Sequence, residues 1–192
     1  MKYLITGHPR SATMYTYKLL RALGEDSMFE RSGHKYTVSW KHCVDGEFPK
    51  PSPENIIKCN FDKIIHQVRH PLNVIASSTT LWNQSFEYIN KYVPFDDPLK
   101  HRNQSIYNCM RSWYCWNLVI ESKASWRYKI EELPKVWNKW CKELGIKNKK
   151  RPIVSRANMR IHRKLIWEDL YKISPVFTDM IRGMAIKYGY KE

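Results

Sequence analysis

Seven consecutive residues near the amino terminus, Gly7-His8-Pro9-Arg10-Ser11-Ala12-Thr13, place a guanidinium and two hydroxyls between an apolar run and an amphipathic one. Such a loop suits an anion. Backbone N–H groups at a helix start lack intrahelical acceptors and the helix dipole is positive there, while an arginine adds a fork of donors. The kinase pattern GxxxxGK[ST] is not met, because Ala12 stands at the second glycine and no lysine follows it. An ordinary ATPase is disfavoured. Further along, Arg69 and Ser77 lie eight residues apart with Pro71 between them. An arginine ending a strand and a hydroxyl on the next helix can converge on one dianion from two sides. Two histidines, His34 and His42, flank a candidate strand. An imidazole with an unperturbed pKa of about 6.5 is the usual group to accept a proton near neutrality.

The elements that must position these groups are legible from periodicity. A first strand is expected at Lys2 to Thr6, followed by a helix whose Thr16, Leu19, Leu20 and Leu23 recur at helical spacing before Gly24 stops it. A second strand is expected at Tyr36 to Lys41 and a third at Lys63 to Val68, with Pro71 at the first turn of the next helix. A long helix from about Asn103 to Glu121 carries Ile106, Met110, Trp113, Asn117 and Ile120 on one stripe, and a short strand follows at Trp126 to Ile130. Pro134 opens a helix closed by Gly145, with Trp137, Trp140, Cys141 and Leu144 on one face. Ser174-Pro175 starts another, with Phe177, Met180, Ile181 and Met184 facing inward. Strands alternating with helices predict an α/β fold in which a mainly parallel sheet is covered by helices on both faces, with ligands at the carboxyl ends of the strands.

A chain of 192 residues with 43% hydrophobic content is expected to form one domain over 1–192. The 33 Lys+Arg against 18 Asp+Glu, a formal charge of +15, favour an anionic partner without choosing among nucleic acid, acidic glycan and polyphosphate. The five cysteines show neither CxxC pairs nor zinc spacing and read as reduced thiols. The absence of a long apolar run or a signal peptide leads to an expectation of a soluble, cytoplasmic protein with no membrane association.

The segment Pro9-Arg10-Ser11-Ala12-Thr13-Met14-Tyr15 resembles the 5′-phosphosulfate loop of sulfotransferases, which runs Pro, Lys or Arg, Ser, Gly, Thr, any residue, aromatic; six of seven positions agree. Ala12 is the departure, because a Cβ penalises positive φ, whereas a right-handed backbone there would tolerate it. Arg69, Pro71 and Ser77 resemble the same family's 3′-phosphate site. Arg127-Tyr128-Lys129-Ile130-Glu131-Glu132-Leu133, Trp167-Glu168-Asp169-Leu170 and Tyr188-Gly189-Tyr190 extend the similarity over nearly the whole chain, with Glu131 and Trp167 read as structural.

The resemblance implies a three-layer P-loop-type fold and transfer of a sulfuryl group from 3′-phosphoadenosine-5′-phosphosulfate to a hydroxyl or amine, leaving adenosine 3′,5′-bisphosphate, with no metal. It implies that Arg10 and Thr13 hold the 5′-phosphate within the loop Arg10, Ser11, Ala12, Thr13, Met14 and Tyr15, and that the Tyr15 ring lies near the adenine. Arg69 and Ser77 would hold the 3′-phosphate, with a basic segment closing over it for which Arg156 and Arg160 are the candidates. His42, in Lys41-His42, resembles the family's Lys-x-His base, and Gly33-His34 a bacterial-type Gly-His pair; if neither serves, a carboxylate is required. The acceptor, a small molecule or a glycan, is not readable. Two other readings stay open: a nucleotide kinase-like enzyme with an altered loop, and a non-enzymatic nucleic-acid-binding protein suggested by the charge, 8 Trp and 12 Tyr. Aromatics on helical stripes, such as Trp113, Trp137 and Trp140, are more simply explained as core.

Overall fold

The computed structural model describes residues 1–31, 33–41, 47–48, 57–58, 60–81, 83–92, 106–147, 149–155 and 161–191. In chain order its elements are β1 (Tyr3–Thr6), α1 (Thr13–Ala22), β2 (Ser27–Phe29), β3 (Tyr36–Val38), β4 (Glu47–Phe48), β5 (Ile57–Lys58), β6 (Lys63–Val68), α2 (Pro71–Ser78), α3 (Asn83–Tyr92), α4 (Ile106–Glu121), β7 (Trp126–Lys129), a 3₁₀ turn (Ile130–Glu132), α5 (Trp137–Glu143), α6 (Trp167–Tyr171) and α7 (Pro175–Lys187). The chain divides into two compact units. The first comprises Met1–Gly7, Ser11–Val68 and Val119–Asn158; the second comprises His8–Arg10, Arg69–Leu118 and Met159–Glu192.

The first unit carries a five-stranded sheet in the order β2-β3-β1-β6-β7, and every neighbouring pair is parallel. Parallel strands need crossovers and are stable when both faces are covered, which gives apolar runs rather than strict alternation. Strand β1 meets this demand. Its Tyr3 and Ile5 join a core with Leu19 and Leu20 of α1, Val38, Ile65, Tyr128 and the α5 residues Trp137, Trp140 and Cys141. Successive strand residues face opposite sides, and Leu4 between them is also fully buried, so neither face of β1 is open to water. This is the expected α/β class with a parallel sheet. Helix α1 turns at Gly24, whose φ of 78° is left-handed. The Tyr36 hydroxyl donates to the Leu144 carbonyl at 2.7 Å, tying β3 to the end of α5.

Short elements escaped the sequence reading. Edge strand β2 has three residues with Met28 exposed, too few for a period to register, and the amphipathic α3 was not expected. Pro134 does not open α5; it lies in turns in which the Lys135 and Val136 amides donate to the Glu132 carbonyl, and the helix begins at Trp137.

In the second unit, α4 buries Met110, Trp113 and Asn117 along the expected stripe, and the Trp113 ring lies 6.2 Å from that of Tyr188. Helix α7 starts as expected, with the Ser174 hydroxyl accepting from the Phe177 amide at 3.3 Å. Its buried stripe is Thr178, Ile181, Met184 and Ala185, so Met180, expected inward, is 38% exposed. Among the described residues no helix is long and apolar enough to cross a membrane.

Candidate functional site

The loop between β1 and α1 opens at Gly7. A Cβ there would lie 2.2 Å from the Gln67 carbonyl oxygen of β6, so the neighbouring strand ends can approach this closely only with glycine. Beyond it the backbone alternates in hand. Arg10 has φ 74° and Ala12 φ 67°, Ser11 between them is not left-handed, and Thr13 begins α1. The right-handed backbone that would have suited Ala12 is therefore not adopted. Each left-handed L-residue costs about 1–2 kcal/mol, so the surrounding structure must hold the loop in place. Alternating handedness of this kind turns successive amides to one side and makes an anion-binding concavity.

Side chains hold three consecutive carbonyls of this loop. The Pro9 carbonyl accepts from His8 Nδ1 at 2.6 Å, the Arg10 carbonyl from Arg69 Nη1 at 3.0 Å, and the Ser11 carbonyl from Gln67 Nε2. Among the described residues no peptide bond is cis, and in a trans peptide the carbonyl and the following N–H point in opposite directions. The amides of Arg10, Ser11 and Ala12 are thus turned away from these donors. Among the described residues, the Ser11, Ala12, Thr13 and Met14 amides donate to no protein acceptor. They form the donor set an anion at a helix start requires.

Within the second unit, Arg10 Nε donates to Ser77 Oγ at 2.8 Å, while Arg69 reaches the Arg10 carbonyl. The three residues that the sequence set apart, Arg10, Arg69 and Ser77, form one hydrogen-bonded cluster. Ser77 is buried on α2, whose Pro71 occupies the first helical turn as expected. His8 is fully buried, and desolvation drives its pKa down to about 3 against the raising effect of the Pro9 carbonyl. It is therefore neutral near pH 7.

Two residues in the first unit were missed by the sequence reading. Gln67 is a buried polar residue near the end of β6, next to the buried His66; its Oε1 accepts from Thr16 Oγ1 at 2.5 Å and Tyr128 Oη at 2.6 Å, which aims Nε2 at the Ser11 carbonyl. A polar pair, His66-Gln67, inside a strand with an Ile-Ile run was the available signal. Glu30 follows β2 with φ 51°, and its carboxylate accepts from Ser39 Oγ at 2.7 Å and the Trp40 amide at 3.3 Å. Burial raises its pKa above the usual carboxylate range, opposed by the Ser39 hydrogen bond and the charge of Lys41. Glu30 and Ser39 leave the carboxyl ends of β2 and β3, and β1 leaves the same edge into the loop. Two strand spacings separate β2 from β1, about 10 Å. No sequence pattern marked Glu30, because its setting comes from pairing across strands.

The other expected residues fall as follows. Tyr15 packs its ring against the core and accepts a hydrogen bond from Arg151 at 3.3 Å, and Met14 is half-buried beside it. His34 is exposed and precedes β3, which places it at the amino-terminal edge of the sheet, opposite the loop. His42, Arg156 and Arg160 lie outside the described residues. Trp113, Trp116, Trp137 and Trp140 are buried, so these rings are not presented for stacking on nucleic-acid bases. No protein-family model matches the chain, and no curated protein matches it in sequence.

Proposed function

We propose that the protein is a sulfotransferase that uses 3′-phosphoadenosine-5′-phosphosulfate and sulfates a hydroxyl or amine of a small molecule or glycan. One observation carries the reading: Arg10, Arg69 and Ser77, distant in sequence, meet in a single hydrogen-bonded cluster. Arg69 and Ser77 are assigned to the 3′-phosphate, with Arg156 or Arg160 as further cations. The amides of Ser11 to Met14, with Arg10 and Thr13, are assigned to the 5′-phosphate. When bound, the donor supplies a sulfuryl group whose departure leaves a charged phosphate. Arg10 and the loop amides supply positive potential where that charge grows, the kind of preorganised stabilisation that speeds group transfer most.

A base must take the acceptor's proton. Among the described residues we assign this role to Glu30, on the strength of its position at the carboxyl edge of the sheet and its raised pKa. His42 is the second choice, and the exposed His34, on the opposite edge, is the third. Replacing Glu30 by Gln lowers release of adenosine 3′,5′-bisphosphate from the donor, measured with water as acceptor, by at least about a hundredfold. It also removes an activity limb that rises with pH from above the usual carboxylate range, because only ionised Glu30 accepts a proton. Unchanged turnover returns the role to His42.

The ligand assignment is tested by thermal shift. Adenosine 3′,5′-bisphosphate raises the unfolding midpoint, and ATP with magnesium does not, because only a ligand bound by the folded state stabilises it. The reverse result establishes the kinase-like reading. Steeply salt-dependent binding to oligonucleotides, with no response to either nucleotide, establishes the nucleic-acid one.

A further inference from the structure

His8 is a buried titratable side chain inside the anion loop with no part in the transfer chemistry described above. Both ring nitrogens have partners: Nδ1 lies 2.6 Å from the Pro9 carbonyl oxygen, and Nε2 lies 2.8 Å from Ser112 Oγ on α4. The chemistry of the partners fixes the tautomer. A carbonyl oxygen only accepts, so Nδ1 carries the proton; a neutral ring then offers a lone pair at Nε2, and the Ser112 hydroxyl donates to it. Ser112 is itself completely buried, which makes it a firm anchor.

The Pro9 carbonyl and the Arg10 amide belong to one peptide plane. Holding that carbonyl sets the direction of the Arg10 N–H and the start of the left-handed turn at Arg10, from which the guanidinium reaches Ser77. Without His8, the Pro9-Arg10 peptide could rotate, and a right-handed Arg10 would relieve its backbone strain. The two following carbonyls have their own holders in Arg69 and Gln67, which leaves His8 in charge of the first.

We propose that His8 is a positioning residue of the anion loop: anchored on Ser112, its Nδ1–H holds the Pro9 carbonyl and thereby presents the Arg10 amide and guanidinium to the bound anion. The nucleotide part of the test rests on the sulfotransferase reading. The anion part does not.

Asn places an amide N–H where the histidine has Nδ1, whereas Gln reaches the position of Nε2 and leaves the carbonyl without a donor. Full-length wild type, His8→Asn, His8→Gln and Ser112→Ala are compared by calorimetry with inorganic phosphate and with adenosine 3′,5′-bisphosphate, alongside their unfolding midpoints. His8→Asn keeps both affinities within about threefold of wild type despite a lowered midpoint, while His8→Gln loses at least about tenfold. Ser112→Ala, which removes only one hydroxyl and keeps the fold, weakens both anions about threefold to tenfold. Equal losses in His8→Asn and His8→Gln, or unchanged affinity in Ser112→Ala, overturn the proposal. Wild type that binds phosphate but not the bisphosphate sinks the donor assignment and leaves the His8 comparison to be decided on phosphate. Wild type that binds neither anion overturns both.

Discussion

The parallel sheet feeds two strand-to-helix junctions, β1 into α1 and β6 into α2, and they solve the same problem in opposite ways. At the first, the N-cap Ala12 is left-handed and offers no side-chain cap, and among the described residues the amides of Ser11 to Met14 donate to no protein acceptor. At the second, Pro71 removes one N–H from the first turn, and the Val74 amide bonds to the His70 carbonyl without strain. On the proposed reading, the first junction would recognise charge with its backbone. The second would do so with side chains, Arg69 and Ser77, beside an ordinary helix start. Left-handed backbone is found at the junction whose amides lack protein acceptors, and the junction proposed to use side chains has none.

That contrast can be broken most directly at the side-chain junction. Arg69→Met removes both a cation and the holder of the Arg10 carbonyl, so the affinity for adenosine 3′,5′-bisphosphate falls at least about a hundredfold, the scale of losing one or two charge-assisted hydrogen bonds. Calorimetry showing less than a tenfold change would mean that the second junction recognises nothing. Ser77→Ala deletes one hydroxyl and the bond to Arg10 Nε, and is expected to cost about tenfold in the same titration.

The remaining two predictions concern the strained junction. His8 binds its proton at a pKa of about 3 in the folded chain, against 6.5 when unperturbed. Between these values the native state holds fewer protons than the unfolded chain, so the stability present above pH 6.5 drains away as the pH falls. From pH 7 to pH 5 the loss is about 2 kcal/mol, or roughly 4–8 °C in Tm, and His8→Asn, which cannot titrate, lacks it. Parallel pH profiles for the two proteins would show that His8 is not held neutral. The smallest effect is that of Ala12→Gly, which relieves a left-handed Cβ and raises Tm by ~2–4 °C. A fall would show that the left-handed turn costs this sequence nothing.

Much of the framework was legible in the residues. Tyr3-Leu4-Ile5 and Ile64-Ile65 announced buried strands, the Leu19 and Leu20 stripe announced α1, and the spacing of Arg69, Pro71 and Ser77 marked the second junction. Strand β2 was not, since three residues carry no period, and α3 was missed although its amphipathic period is present in the residues. Glu30 and Gln67 were hidden for a different reason. Their roles come from partners on other strands: Ser39 for Glu30, and Thr16, Tyr128 and the Ser11 carbonyl for Gln67.

The sequence by itself determined the class of fold and where the charged side chains stand along the chain, because hydrophobic period and side-chain charge are local properties of the chain. Only the tertiary structure decided that Ala12 stands left-handed, that Arg10 meets Ser77, and that three side chains hold three successive carbonyls. A backbone torsion that disfavours itself is set by the donors around it, and those donors are brought together by strand pairing and helix packing rather than by neighbours along the chain.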